Sequence, residues 1–168
     1  LLLDFVRREY ILADVTVTEE EIEAWYQERL EEFTSPRQAQ VRVIQTISLS
    51  AAETALRRAR SGQTPFADLA RAYSIHPSRS RGGELDPFPR GFYANDPVFE
   101  EVAFKLRIGE ISDVVATGQG YFIIQKVGEV AEHREPLESA RERIRERLLQ
   151  EKRDEAERRF LESLRQMA

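Results

Sequence analysis

The sequence predicts an α+β fold, with a small antiparallel or mixed sheet, helices around it, and an all-α lobe built from both chain ends. Three observations support this prediction. Apolar residues recur at helical spacing near both ends of the 168-residue chain, whereas they alternate with polar residues in its middle. Further along, a glycine-containing turn joins two short apolar segments, as in a β-hairpin. The order strand, helix, helix, loop, helix, strand, strand does not fit a doubly wound sheet.

A helix start is well marked in the N-terminal region. Thr18–Glu21 has the pattern of a capping box, and Val17 and Ile22 occupy the positions of the apolar contact that accompanies such a cap. A helix is therefore predicted to begin at Glu19. It is predicted to end before Pro36, because the residue before a proline disfavours helical dihedral angles.

Another helix is predicted over residues 1–13. The chain begins inside this helical pattern, with Leu1 rather than Met. We therefore interpret the sequence as a piece of a longer protein, in which a signal peptide or an anchor would lie upstream.

The C-terminal region predicts a long helix that follows Pro136. Opposite charges lie three or four residues apart, as in Glu138 with Arg141 and Glu155 with Arg159. One apolar stripe runs along this helix through Leu137, Ile144, Leu148, Phe160, Leu164 and Met167. The stripe requires a partner helix. The N-terminal helix of the same chain can supply it, and so can a second copy, which leaves a homodimer through the terminal helices open.

The middle of the chain carries a strand pattern, two helix starts and a long loop. Val41–Leu49 largely alternates apolar and polar residues and predicts a half-buried strand. A second capping box at Ser50–Glu53 predicts a helix that Gly62 ends, and Pro65 lies at the start of another. Residues 74–91 form a long loop rich in Pro, Gly, Ser and Arg. A loop of this length is the first place to look for function.

Three elements are predicted after the loop. A short helix is expected over residues 97–106, and strands are expected over 111–117 and 121–127. The segment Gly118–Gly120 between the strands predicts a tight turn, so that the two strands form a hairpin.

Composition excludes several classes of function. With 30 acidic and 25 basic residues the net charge is −5, which disfavours a nucleic-acid partner because phosphate binding requires a basic face. Cys is absent and His occurs twice, which excludes disulfide scaffolds and Cys/His zinc sites. No apolar run approaches the roughly 20 residues of a membrane-spanning helix. Neither a phosphate-binding glycine loop nor a GxSxG motif occurs, and no cofactor or metal is expected.

Several motifs in the middle of the chain resemble the parvulin family of peptidyl-prolyl cis–trans isomerases. They are, in order, FADLARAYSIHPSRSRGGELDPFPRG, PVFEEVAFKLRIGEISDVV and TGQGYFIIQKV. In that family a helix ending in Tyr-Ser leads into a Ser-rich loop closed by Gly-Gly-Asp-Leu. Then come Phe-x-x-Ala-Phe, Gly-Glu-hydrophobic-Ser and Gly-Tyr-His-Ile-Ile. The resemblance covers residues 37–128 almost without gaps.

The flanking regions resemble the surface-antigen-folding and extracellular-foldase chaperones of bacterial envelopes. In these proteins a parvulin domain is inserted into a helical chaperone lobe made from both chain ends. The resemblance implies a helical lobe over residues 1–35, a parvulin-like domain over 36–130 and a helix over 131–168 that completes the lobe. It also implies unfolded or extended, proline-containing polypeptides as partners, and a periplasmic or otherwise extracytoplasmic location.

Carried over position by position, the resemblance implies two groups of site residues. The proline ring would bind to Leu85, Tyr93 and Phe99, with Phe122 filling volume beside them. The polar groups of the site would be Arg42, His76, Thr117 and Gln119. Arg42 and Phe122 would take the positions of two family histidines that pair across the sheet, and His76 that of a Cys or Asp.

Several functional interpretations remain open at this point. The domain is an isomerase, or it is a module that holds extended chains without isomerising them, because both family histidines are replaced. A structural coiled-coil adaptor rests on the C-terminal helix alone. From residue types alone, the loop is equally a plain surface loop and His76 an exposed histidine. Arg79 and Arg81 suggest a preference for an acidic or phosphorylated residue before proline.

Overall fold

The computed structural model of the chain describes residues 2–6, 8–9 and 13–168. The backbone divides into two compact units. One, the helical unit, consists of the residues up to Ser35 together with Arg134–Ala168, and the other, the sheet unit, is Pro36–His133. Helix α1 spans Leu2–Val6. Part of the helix predicted over residues 1–13 lies outside the described residues.

The core of the helical unit lies between two helices, one from each end of the chain. Helix α2 spans Glu19–Glu28, and the Thr18 hydroxyl accepts the Glu21 N–H as the capping box predicts. The helix ends earlier than predicted and continues into a 3-10 turn at Leu30–Phe33. A long C-terminal helix spans Leu137–Met167 and is α6 below. The shared core contains Ile22, Trp25, Tyr26, Phe33, Ala140 and Ile144. Leu137, Ile144 and Leu148 of the predicted stripe lie in or against this core, whereas Leu164 and Met167 are 37% and 77% exposed.

The sheet unit contains a four-stranded antiparallel sheet. Its strands are β2 (Gln38–Thr46), β3 (Phe88–Pro89), β4 (Val115–Thr117) and β5 (Gly120–Val130). They lie in the order β3-β2-β5-β4. Strands β4 and β5 form the predicted hairpin, and β2 pairs with β5 over its whole length. Two further short strands are β1 (Thr34–Ser35) and β6 (His133–Arg134).

Helices cover both faces of this sheet. Helices α3 (Leu49–Ser61) and α4 (Phe66–Tyr73) pack on the face that carries Ile44 and Ile123. Helix α5 (Pro97–Lys105) packs on the other face, which carries residues such as Val43, Phe122 and Ile124. The two faces alternate along each strand because successive side chains point in opposite directions. The predicted α+β class is confirmed.

Two predicted boundaries at the end of β2 are wrong for one reason. The strand stops at Thr46, so that Ile47 and Leu49, which belong to the predicted half-buried strand, are 77% and 46% exposed. The Ser48 hydroxyl, rather than Ser50, accepts the backbone N–H three residues on (3.4 Å) and caps α3. The strand therefore ends three residues earlier, and the helix begins two residues earlier, than the sequence pattern indicates.

Two further predicted segments, the long loop and the strand from residue 111, differ from the structure in detail. The loop over residues 74–91 contains a 3-10 turn at Pro77–Arg81 and the short strand β3. The strand predicted from residue 111 is regular only in β4, and Ile111 itself forms an isolated bridge with Gln125. Within the described part of the chain, no helix has the length and apolar content that crossing a bilayer requires.

Candidate functional site

The three side chains expected to bind the proline ring, and Phe122 beside them, come together on one face of the sheet. Leu85, Phe99 and Phe122 are buried in the same core cluster, and Tyr93 packs against it. The ring of Phe99 lies edge-on to the rings of Tyr93 and Phe122, with centroids 5.2 and 5.4 Å away. All four residues line an open cavity of about 480 Å³, which we call the slot. Phe122 forms part of its wall and does not close it.

A glycine pair within the long loop, Gly82 and Gly83, positions Leu85. Val43 donates its N–H to the Gly83 carbonyl (2.8 Å), and Leu85 donates its N–H to the Val41 carbonyl (3.0 Å). Gly83 has a φ of +82°, and a Cβ atom there would overlap with the Val43 carbonyl oxygen. Glycine is therefore required for the loop to lie against β2 and bring Leu85 into the slot.

The start of α5 positions Phe99. Pro97 occupies the first turn of this helix, where a proline is well tolerated because its missing N–H has no intrahelical partner to lose. The Asp96 carboxylate accepts the Phe99 N–H (3.2 Å) and caps the helix. These local signals direct Phe99 towards the slot.

Of the four predicted polar residues, the structure brings two to the slot. His76 and Gln119 line it, whereas Thr117 and Arg42 do not. Thr117 shapes the turn between β4 and β5. Its hydroxyl donates to the Gly120 carbonyl (3.0 Å) and accepts the Gln119 N–H (3.1 Å). The Thr117 hydroxyl therefore stabilises the turn that carries Gln119 and does not itself line the slot.

His76 is half-buried, and its ring caps the 3-10 turn that follows it. Nδ1 accepts the backbone N–H of Ser78 (3.1 Å) and lies 2.8 Å from the Ser78 hydroxyl. The proton of the neutral ring is therefore assigned to Nε2. Burial, and after it the charge of Arg81, lower the pKa of His76 below its ordinary value. The imidazole is consequently neutral at pH 7 and adds no charge to the slot.

The position of Arg42 corrects the sequence-based assignment of the paired histidines. In the register of β2 with β5, Arg42 lies opposite Gln125, and Gln45 lies opposite Phe122. Since strand residues alternate in direction, Arg42 points to the face opposite the slot. Its guanidinium lies 3.7 Å from the Glu84 carboxylate. Gln45, rather than Arg42, is the residue across the sheet from Phe122, so the predicted pairing of Arg42 with Phe122 is wrong.

Gln45, which the sequence did not single out as a site residue, connects the two sides of the slot. Its Nε2 donates to the Gln119 carbonyl (2.8 Å). Its backbone N–H donates to the Ser74 hydroxyl (3.1 Å), and its carbonyl accepts the Ile75 N–H (2.9 Å). The Ser74 hydroxyl also accepts the N–H of His76 (3.2 Å). One buried residue thereby links the His76 loop to the Gln119 turn.

Sequence reasoning also missed four residues that line the slot. They are Phe92, Asn95, Asp96 and Gly118. The Asp-Pro pair before α5 is a helix-start signal that predicts the position of Asp96. No comparable signal marks Phe92 and Asn95, because both lie in an irregular turn rather than in a helix or strand. Among the described residues that line the slot, Asp96 alone carries a formal charge.

Comparisons with known proteins place this geometry in context. The profile of a family described as the PPIC-type PPIASE domain matches residues 17–142. The foldase protein PrsA of Caldanaerobacter subterraneus subsp. tengcongensis is 41% identical over 129 residues, which are 76% of this chain and 40% of that protein. The peptidyl-prolyl cis-trans isomerase Pin1 of Malus domestica is 46% identical over 68 residues, 40% of this chain and 54% of that protein.

A solved structure shares the fold. It belongs to work on two SurA-like chaperones of Campylobacter jejuni, the virulence factor PEB4 and the periplasmic protein Cj1289. The TM-score is 0.87 at 24% sequence identity, over 99% of this chain and 68% of that chain. The chain spans about two fifths of the length of the PrsA relative and about half that of the Pin1 relative.

Proposed function

The chain belongs to the PPIC-type peptidyl-prolyl isomerase (parvulin) family, and from this premise we propose that its slot binds proline residues of unfolded or extended polypeptides and accelerates their cis–trans isomerisation. The observation that carries the proposal is the convergence of Leu85, Tyr93 and Phe99 on one open cavity. An apolar cavity of this kind suits a proline ring, which has no polar atoms of its own beyond the backbone.

Isomerisation requires little chemistry of the protein. The barrier of roughly 18–20 kcal/mol arises because rotation breaks the conjugation of the peptide bond. A protein lowers it by binding the twisted amide better than either planar form. The apolar wall would hold the ring while the carbonyl before it rotates. His76 and Gln119, with Asn95, are the neutral polar residues that line the slot and can exchange hydrogen bonds with the rotating group.

A specific observation favours a second function, binding without isomerisation. The Gln45 side chain already donates to the Gln119 carbonyl, and Phe122 opposite it has no polar atom to offer. The Gln45 amide is therefore partly engaged in holding the turn that carries Gln119, and Phe122 offers no hydrogen bond to a rotating carbonyl. A slot that bound only through its apolar wall would hold a proline residue equally well in the planar and twisted states.

Exchange spectroscopy separates the two functions. The cis–trans exchange rate of an Ala-Ala-Pro-Ala peptide is measured with and without the 168-residue chain, together with chemical-shift changes that report binding. We expect faster exchange in the presence of the protein. Shift changes with an unaltered exchange rate would establish the second function instead.

A pair of double variants tests the assignment of the polar positions. Gln45→His with Phe122→His places two histidines opposite each other in the observed register and is expected to raise the exchange rate. Arg42→His with Phe122→His is the matched control, because residue 42 faces away from the slot, and it is expected to give no such gain. An equal gain in both double variants would contradict the assignment of Gln45.

We further propose an extracytoplasmic location, clients that are unfolded proteins, and a homodimer through the terminal helices. The location and the clients are inferred from relatives described as foldases and from a neighbour described as periplasmic.

The dimer is inferred from the last turns of α6, where Leu161, Leu164 and Met167 are 50%, 37% and 77% exposed. Sedimentation equilibrium tests it, and a monomer at all concentrations would refute it. Cell fractionation of the full-length protein tests the location.

A further inference from the structure

Phe92 is an exposed aromatic residue that lines the slot. Its side chain is 67% exposed, and its ring stands edge-on to Tyr93 with the centroids 5.0 Å apart. Tyr93 in turn packs against Phe99. Phe92 therefore extends the apolar wall of the slot outwards to the solvent. Apolar surface that continues from a cavity to its rim commonly marks a binding site.

The backbone around Phe92 is held in place. Glu100 on α5 accepts the N–H of Gly91 (2.7 Å) and the N–H of Tyr93 (3.1 Å), which are the two neighbours of Phe92. The Phe92 N–H itself donates to the Pro89 carbonyl (3.3 Å). One carboxylate thus fixes both sides of the residue. A ring presented by a fixed backbone can bind a ligand with little loss of conformational freedom.

The charges near the slot disfavour an acidic ligand. Asp96 lines the slot, and burial, followed by the charge of Asp86, raises the pKa of the Tyr93 hydroxyl. The two arginines that the sequence suggested for an acidic or phosphorylated residue are engaged elsewhere. Arg79 donates to a backbone carbonyl of α4 (2.9 Å), and Arg81 pairs with Asp86 (3.1 Å). Among the described residues that line the slot with Phe92, none carries a positive charge at pH 7.

We infer that Phe92 forms a second subsite beside the proline site, which takes an apolar, preferentially aromatic, side chain adjacent to proline in an extended polypeptide. The inference rests on the proposed function, since the slot must first hold the proline. The cavity of about 480 Å³ lies within the range of roughly 300–1,000 Å³ of ligand sites. It has room for more than one five-membered ring.

Four peptides test this inference on the 168-residue chain: Ala-Phe-Pro-Ala, Ala-Ala-Pro-Phe, Ala-Ala-Pro-Ala and Ala-Glu-Pro-Ala. Affinities are measured by NMR titration, and exchange rates are measured in the same samples. At least one Phe peptide is expected to bind about two- to tenfold more tightly than the all-alanine peptide, the range for one aromatic pair. The Glu peptide is expected to bind more weakly than that Phe peptide.

Two variants assign the preference to Phe92. Phe92→Ala is expected to bring the ratio of the Phe and Ala peptide affinities close to one, and Phe92→Leu to give an intermediate ratio. Ile108→Ala is the matched control, because Ile108 is equally exposed at 67% but does not line the slot. It is expected to leave the ratio unchanged.

The outcomes separate this inference from the proposed function. Equal affinities for the Phe and Ala peptides, a ratio that survives Phe92→Ala, or tighter binding of the Glu peptide would each overturn the subsite. Faster exchange with equal affinities would leave the isomerase function intact and remove only the subsite. Preferential binding of a Phe peptide without faster exchange would support the subsite and refute isomerisation.

Discussion

The imidazole of His76 is the titratable group in the slot whose protonation changes near neutral pH. Its Nδ1 accepts a backbone N–H from Ser78, which only the unprotonated nitrogen can do. Burial and the charge of Arg81 lower the pKa of His76. In the unfolded chain the ring regains its ordinary pKa of about 6.5. On acidification the unfolded state therefore takes up this proton before the native state does, and the free energy of unfolding decreases.

We expect His76 to titrate with a midpoint below about 6.5 in the native protein. An NMR titration of the His133→Gln variant, in which His76 is the remaining histidine, measures this midpoint. His76→Gln is expected to reduce the loss of stability as the pH falls from about 7 to 5, because it removes the group whose pKa differs between the two states. A midpoint at or above 6.5 would contradict the expectation.

Lys126 is fully buried, which is rare for lysine unless the ammonium group is paired. Its Nζ donates to the Ala103 carbonyl in the last turn of α5 (2.8 Å) and lies 3.1 Å from the Glu129 carboxylate. The ammonium group also lies 5.4 Å from the ring centroid of Phe104. A positive charge at this point satisfies a carbonyl at the helix end and is favoured by the helix dipole.

Lys126→Met is expected to lower the free energy of unfolding by about 1–3 kcal/mol, because the Ala103 carbonyl loses its donor while the apolar volume is kept. Urea denaturation monitored by circular dichroism measures this. Lys105→Met is the control, since the Lys105 side chain is 72% exposed and pairs with Glu101 on the surface, and it should change stability little. Equal effects of the two changes would rule out the role given to Lys126.

At the level of secondary-structure elements, the start of α3 decides where β2 ends. Ser48 caps the helix and Ser50 lies inside its first turn. Ser48→Ala is expected to destabilise the protein by about 1 kcal/mol, the usual loss for an N-cap serine. Ser50→Ala, at the position that the sequence pattern favoured, is expected to destabilise it by less. Thermal denaturation of both variants distinguishes them, and the reverse order would restore the sequence-based cap.

The glycine pair before Leu85 determines how the long loop meets the sheet. Gly83 and Gly109 both have positive φ angles, +82° and +88°, so an alanine at either position adopts an unfavourable backbone conformation. Only at Gly83 would the new methyl group also meet the backbone of Val43; at Gly109 it would meet open space. Gly83→Ala should therefore destabilise the protein clearly more than Gly109→Ala. It should also weaken peptide binding, which NMR titration measures.

For the whole molecule, the distribution of the cores indicates which part holds the site. Every residue of the two clusters that cover the sheet lies within residues 36–133. The slot is lined from the same range. We therefore expect a chain limited to residues 36–133 to fold by itself and to bind Ala-Phe-Pro-Ala with the affinity of the longer chain. A dispersed NMR spectrum and a peptide titration check this. An unfolded fragment would show that the helical unit is needed for folding.

The sequence by itself determined the class of the fold and the apolar part of the candidate site. Helix starts at Glu19 and Pro97 and the helix end at Gly62 depend on local dihedral angles and caps, which neighbouring residues dictate. Alternation along β2 correctly placed Val41 and Val43 inside. The motifs around Leu85, Tyr93 and Phe99 indicated a family whose profile matches most of the chain.

Only the tertiary structure decided which polar residues meet at the slot. Alternation assigns each strand residue to a face but does not say which residue lies opposite it, because register depends on the whole pairing and its irregularities. Here the register shifts between Gln40 and Val41, and it places Gln45 rather than Arg42 across from Phe122. Phe92 and Lys126 likewise owe their positions to atoms of Glu100 and Ala103. Such contacts between a side chain of one element and the backbone of another leave no periodic or capping signal in the chain.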